Sequence, residues 1–291
     1  MASLQKTAFQ KTTVVTVVLT GALATCLASA ALAESVKEYR FTVGANANVS
    51  VDTQYGAISV RPGSGNQVVV TATLSSNKVE VDQEQNGNRI EIASHLLPGS
   101  TQESGQVDYE VIVPADATVT LRSSTGPLSA EHLQGDITLA GPDAMVNVRN
   151  VENAHVHVQT MRGPITISDV KNGHVELETI SGDIHLKSVN GALVQATSGS
   201  GKISYDGDFG AEGEYKFTTH TGDIDALVPV EVSADFRAHS VLGRVQHDFP
   251  LKAQHTRFPV NEGRSFFGTT GKAASQVVLR SFSGRIRLKQ R

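Results

Sequence analysis

The 291-residue chain has one cysteine, Cys26, and no tryptophan. A single thiol excludes an internal disulfide and a thiolate-rich metal centre. Aromatic residues make up 5% of the chain, so the stacking platforms typical of sugar-binding grooves are scarce. No Gly-x-Ser-x-Gly elbow is present, and Ser200, in Gly199-Ser200-Gly201, falls on a repeat corner instead. The tandem Gly-Gly-x-Gly-x-Asp pattern of calcium-binding β-helices is missing. The aspartates at Asp183, Asp223, Asp206 and Asp208 therefore read as turn residues. No pair of carboxylates stands out as the acid and base of a polysaccharide-cleaving β-helix. We expect no enzyme, no cofactor and no nucleic-acid partner.

Helix signals are almost absent after residue 33, and no second apolar run approaches the length of a membrane span. The first 33 residues read as a signal peptide. Lys6 and Lys11 precede an apolar stretch from Val14 to Leu32, and Ala31-Leu32-Ala33 offers the small-x-small pattern cleaved after Ala33. The alternatives are an uncleaved anchor and lipidation at Cys26, which follows Thr25 rather than the usual small residue. The expected destination is the periplasm, the cell surface or the medium. Removal of the leader also removes Cys26, so the mature chain must be held by burial and backbone hydrogen bonds.

Apolar and polar residues alternate through the rest of the chain, the period-2 pattern of half-buried strands. TMRGPITI, TISGDIHL, SGSGKISY, THTGDIDA, SVLGRVQH and SFSGRIRL align on Gly163, Gly182, Gly201, Gly222, Gly243 and Gly284, at spacings of 19, 19, 21, 21 and 41 residues. Gly126 lies 37 residues upstream, with Ala144 midway, and Gly56 in TQYGAISV is an outlying copy. A period near 20 points to stacked units, each too small to bury its own apolar face. We read an all-β, parallel β-helix-like solenoid with rungs of about 19–21 residues and about two short strands per turn. The glycines sit at a structural turn that needs positive φ or a close backbone approach. Val156, Val175 and Val194 should form one inward column, continued by Tyr215 and Phe236. Ile165, Ile184 and Ile203 should form another, continued in sequence order by Ile224, Val245 and Ile286. Residues 34–118 read as a less regular N-terminal β cap, and 119–291 as the solenoid. An irregular insert at 249–275 is expected to cover its end. A series of β-hairpins is the alternative.

Three segments carry a family resemblance: YEVIVPADATVTLRSSTGPL (Tyr109–Leu128), the unit TISGDIHL, and the end VVLRSFSGRIRLKQR. In this order, over residues 36–291, the chain resembles the bacterial β-strand-repeat proteins of unknown function classed as candidate adhesins. The resemblance implies an exported β-helix-like domain and supplies no catalytic residue.

Two groups of residues could bind something. His155 and His157 lie two apart on one strand, and His174 should stack on His155 in the next rung, with Glu176 on His157. Imidazoles on one outer face suit Zn²⁺ or Cu²⁺; the alternative is a solvated polar face. The second group comes from charge. Residues 34–236 carry 12 basic and 27 acidic side chains, whereas residues 237–291 carry 11 basic and 2 acidic. Arg285, Arg287 and Lys289 should share an outer face, with Arg244 stacked beside Arg285. That face suits an anionic envelope component or an acidic protein. The alternative is self-association of basic and acidic ends, and sequence leaves the oligomeric state open.

Overall fold

The computed structural model describes residues 35–249, 252–253 and 263–291. The expected signal peptide, with its expected cleavage site at Ala33, and Cys26 lie outside the described residues, as does most of 250–262. The described residues hold 23 strands and no helix. In chain order these are β1 (Ser35–Thr42), β2 (Asn48–Thr53), β3 (Ile58–Pro62), β4 (Gln67–Leu74), β5 (Val79–Asn86), β6 (Arg89–Leu96), β7 (Val107–Val113) and β8 (Thr118–Ser123). Next come β9 (Leu128–Glu131), β10 (Ile137–Gly141), β11 (Val146–Glu152), β12 (His155–Thr160), β13 (Ile165–Thr179), β14 (Ile184–Ser198), β15 (Ile203–Asp206) and β16 (Glu214–Thr219). The last are β17 (Ile224–Val228), β18 (Ala234–Ser240), β19 (Val245–His247), β20 (Lys252–Ala253), β21 (Ser265–Thr269), β22 (Ser275–Ser281) and β23 (Ile286–Gln290).

Each rung gives one strand to each of two parallel ladders. The first ladder runs β6, β2, β8, β10, β12, the second half of β13, the second half of β14, β16, β22, β18. The second runs β7, β3, β9, β11, β13, β14, β15, β17, β23, β19. Alternate side chains point between the ladders and stack in columns. Val156, Val175 and Val194 pair in register, as do Ile165, Ile184 and Ile203, and all six are fully buried. Burial of each such side chain contributes about 1.5–3 kcal/mol. The larger Tyr205, Phe209, Tyr215, Phe217 and Phe236 fill the core near the C-terminal rungs, with Tyr205 stacked on Phe209 at 4.7 Å.

The order of rungs along the axis departs from the order of the chain at both ends. Ile286 pairs with Ile224 on one side and Val245 on the other, and Val277 lies between Tyr215 and Phe236. The last rung is thus inserted between the two before it, which corrects the simple succession Ile224, Val245, Ile286. Likewise β2 and β3 lie between β6/β7 and β8/β9. Periodicity assigns inward positions and columns, but every rung offers an equivalent edge. Order is therefore left to the connections, and the 41 residues from Gly243 to Gly284 are enough to pass over the outer rung and return.

The region before residue 119 accordingly divides in two. β2, β3, β6 and β7 stack in parallel on the repeat, and only β1, β4 and β5 add antiparallel strands at the end. The outermost β1 and β5 are polar and mostly exposed, which blunts the free edge. At the other end β21 runs antiparallel to β18 and β20 to β21, so the described part of the insert covers that ladder.

The two corners use different chemistry. At one, His132, Asn150, Asp169 and Ser188 hold φ between 52° and 60°, the left-handed region that short polar side chains tolerate better than branched ones. At the other sit Gly126, Gly163, Gly182, Gly201, Gly222, Gly284 and Gly243. None of these has positive φ; close approach is what requires glycine. A Cβ on Gly182 would lie 2.1 Å from the Gly163 carbonyl oxygen, and one on Gly201 1.9 Å from that of Gly182. Three residues before each glycine is a buried hydroxyl, except that Gly141 and Ala144 stand in for the pair in one rung. Ser198 Oγ accepts the Gly201 N–H at 2.8 Å and donates to the Gly182 carbonyl of the neighbouring rung at 3.3 Å. Ser123, Thr219, Ser240 and Ser281 repeat this bridge.

Three outcomes are expected. Gly182→Ala should destabilise the fold by about 2 kcal/mol or more, because backbone must move. Thr179→Val should cost about 1–3 kcal/mol by leaving the Gly182 N–H unpaired, while Thr179→Ser stays close to wild type; urea unfolding measures all three. Deleting residues 275–291 should expose the facing edges of residues 214–228 and 234–247 together. Amide exchange checks this: fast exchange in both segments is expected, whereas protection retained in both would contradict the inserted rung.

Candidate functional site

The basic end is built by the residue that follows each corner glycine and its outward neighbours. Along one outer column stand Asp183, Lys202, Asp223, Arg285 and Arg244, in that spatial order. The aspartates reach across rungs: Asp183 Oδ1 accepts the Lys202 N–H and Asp223 Oδ1 the Arg285 N–H, both at 2.8 Å. The Arg285 guanidinium also donates to Asp223 Oδ2 at 2.9 Å.

One column further along, Arg287 grips Asp225 through Nε and Nη2, both at 2.5 Å, and Lys202 Nζ lies 2.8 Å from the same carboxylate. Burial raises the Asp225 carboxyl, but hydrogen bonds from Arg287 and Lys202 outweigh it and hold the group below the ordinary carboxylate range. Asp223 is lowered in the same way, burial being opposed by the backbone and side chain of Arg285.

The structure therefore brings Arg244, Arg285, Arg287 and Lys289 to one end and divides them. Arg285 and Arg287 are held by carboxylates of the preceding rung, whereas Arg244 and Lys289 make no ion pair among the described residues. Shallow grooves lie beside both free cations. One is lined by Arg244, Gln246 and Arg264, the other by His247, Asp248 and Lys289. Inserting the last rung places its arginines against Asp223 and Asp225, a pairing that a sequence-order stack would not make for Asp225.

The histidines are also where spacing puts them. His155 pairs in register with His174, and His157 with Glu176, on the outer faces of β12 and β13. The two rings of His155 and His174 lie 4.0 Å apart. Glu176 Oε1 is 3.1 Å from His174 Nε2, and Oε2 is 3.6 Å from His157 Nδ1. The hydrogen bond from His174 holds the Glu176 carboxyl below its ordinary value.

Sequence reading missed an apolar ridge beside the glycine corner. Met161, Ile180, Val241, Leu242 and Phe282 are 42–59% exposed there, and Phe282 stacks on His220 at 4.8 Å. Its signal was available, since apolar residues recur one or two places before the corner glycines.

No protein of curated function matches the chain. Among solved structures it is similar to a candidate adhesin from Bacteroides fragilis (11% identity, 88% of this chain and 97% of that one, TM-score 0.49). It is similar to a candidate adhesin from Parabacteroides distasonis (11% identity, 88% and 97%, TM-score 0.41). A candidate cell adhesion protein from Clostridium sporogenes is also similar (15% identity, 88% and 100%, TM-score 0.30). The family model described as Toastrack DUF4097 matches residues 46–289, and the chain belongs to that family.

Proposed function

We propose that this chain is an exported, non-catalytic solenoid of the cell envelope that acts as a binding module, its basic end engaging an anionic envelope component or an acidic protein partner. The observation that supports the reading is the unequal use of cations at that end. Internal aspartates pair with Arg285 and Arg287, while Arg244 and Lys289, on the last two rungs, make no ion pair among the described residues. Arg264, Lys272 and Arg280 likewise make no ion pair among the described residues. Free cations clustered on one end of an otherwise acidic rod steer it toward negative surfaces.

A second reading, self-association of the basic end with the acidic flank of another copy, draws on the same asymmetry. Both contacts would weaken with salt, so the partner must be varied. The leader and the absence of a catalytic constellation in sequence support export and a non-enzymatic role.

The test is co-sedimentation of the mature protein with isolated envelopes at low and physiological ionic strength. Arg244→Gln with Lys289→Gln should reduce association about tenfold at low salt, as expected for losing two surface charges at about 1 kcal/mol or less each. Unchanged association would overturn the binding role of these cations. Analytical ultracentrifugation without envelopes separates the second reading, which requires a salt-sensitive increase in mass.

A further inference from the structure

The cluster on β12 and β13 is independent of the basic end and rests on geometry of its own. A ligand atom from each of His155, His174 and Glu176 lies within 4.8 Å of the others. A tetrahedral ion with metal–ligand bonds of about 2.0–2.2 Å needs donors about 3.3–3.6 Å apart. Small rotations of three solvent-facing side chains close that difference without moving backbone.

The backbone is well fixed. Val156, Val158, Val175 and Leu177 alternate with the cluster and are fully buried. Parallel pairing then sets His155 beside His174 and His157 beside Glu176. The next outward positions on either side are Thr138, beside His157, and Gln195, beside Glu176. No ammonium or guanidinium occupies those positions to compete for the carboxylate. The His155 amide is turned toward Asp136 Oδ1 at 3.2 Å, which fixes the start of the strand.

The donor set decides the class of ion. Imidazole nitrogens with one carboxylate suit Zn²⁺, Cu²⁺ or Ni²⁺, whereas Ca²⁺ and Mg²⁺ demand more oxygen ligands. We propose that His155, His174 and Glu176, with His157 in reach as a fourth donor, bind a divalent transition-metal ion of the Zn²⁺ class on the outer face of two adjacent rungs. Bound there, the ion bridges strands 19 residues apart, its fourth position taken either by His157 or by water.

The test uses the full mature chain, stripped with a chelator and titrated with ZnCl₂ by calorimetry, with Co²⁺ as a spectroscopic probe. One ion per chain is expected. His174→Gln should weaken binding by at least about tenfold and abolish the cobalt spectrum of the wild type. His185→Gln, an outward histidine on β14 outside the cluster, should change neither. Absence of saturable binding by the wild type, or unchanged affinity in the doubly substituted His155→Gln, His174→Gln chain, would overturn the proposal. Should that variant misfold, diethylpyrocarbonate labelling of the wild type decides. Zn²⁺ should protect His155 and His174, and equal labelling with and without the ion would contradict the site.

Discussion

The contact on which the stack depends is the approach of one corner glycine to the carbonyl of the glycine beside it. The space that a Cβ would need at Gly201 is occupied by the Gly182 carbonyl oxygen, and the same kind of contact recurs from Gly126 to Gly243 along the axis, with Ala144 supplying the carbonyl that Gly163 abuts. Two parallel sheets joined by a tight corner leave no other room. The buried hydroxyls of Ser123, Ser198, Thr219, Ser240 and Ser281, each three residues before a corner glycine, complete the arrangement, because each satisfies a buried N–H in its own rung and a buried carbonyl in the neighbouring one. A buried polar group costs little when both its partners are fixed by the repeat. The column thus sets the rung spacing and the register at once, and the aliphatic columns fill what remains.

Much of this was legible in sequence. Period-2 alternation and a recurring glycine are local signals, and they specify which side chains face inward and which residues stack. The outward histidine face followed from the same arithmetic: a 19-residue offset carries His155 onto His174. Axial order was not legible, because a rung's edge has no sequence of its own, and the chain's route between rungs lies in segments without repeats. The role of the hydroxyls was hidden for a different reason. Ser and Thr are common in turns, and only the carbonyl of another rung reveals their second hydrogen bond.

Electrostatics follow from order. Asp223 and Asp225 project from one rung, and the rung inserted beside them brings Arg285 and Arg287. Bidentate pairing of guanidinium and carboxylate is the strongest form of such contacts. Here it joins segments 62 residues apart in sequence at the place where the stack is least regular. The raw charge imbalance of the chain therefore overstates what the basic end presents to solvent, and the remainder is concentrated on fewer side chains.

The inserted rung also bears on how such a stack can change its length. In a solenoid threaded in order, a duplicated repeat can be appended at either end and find a waiting edge. Here β22 and β23 are hydrogen-bonded on both sides, so a repeat added after them would meet filled ladders rather than a template. Growth by duplication is confined to the ordered middle, among the rungs between β8 and β17, where neighbours in sequence are neighbours in space.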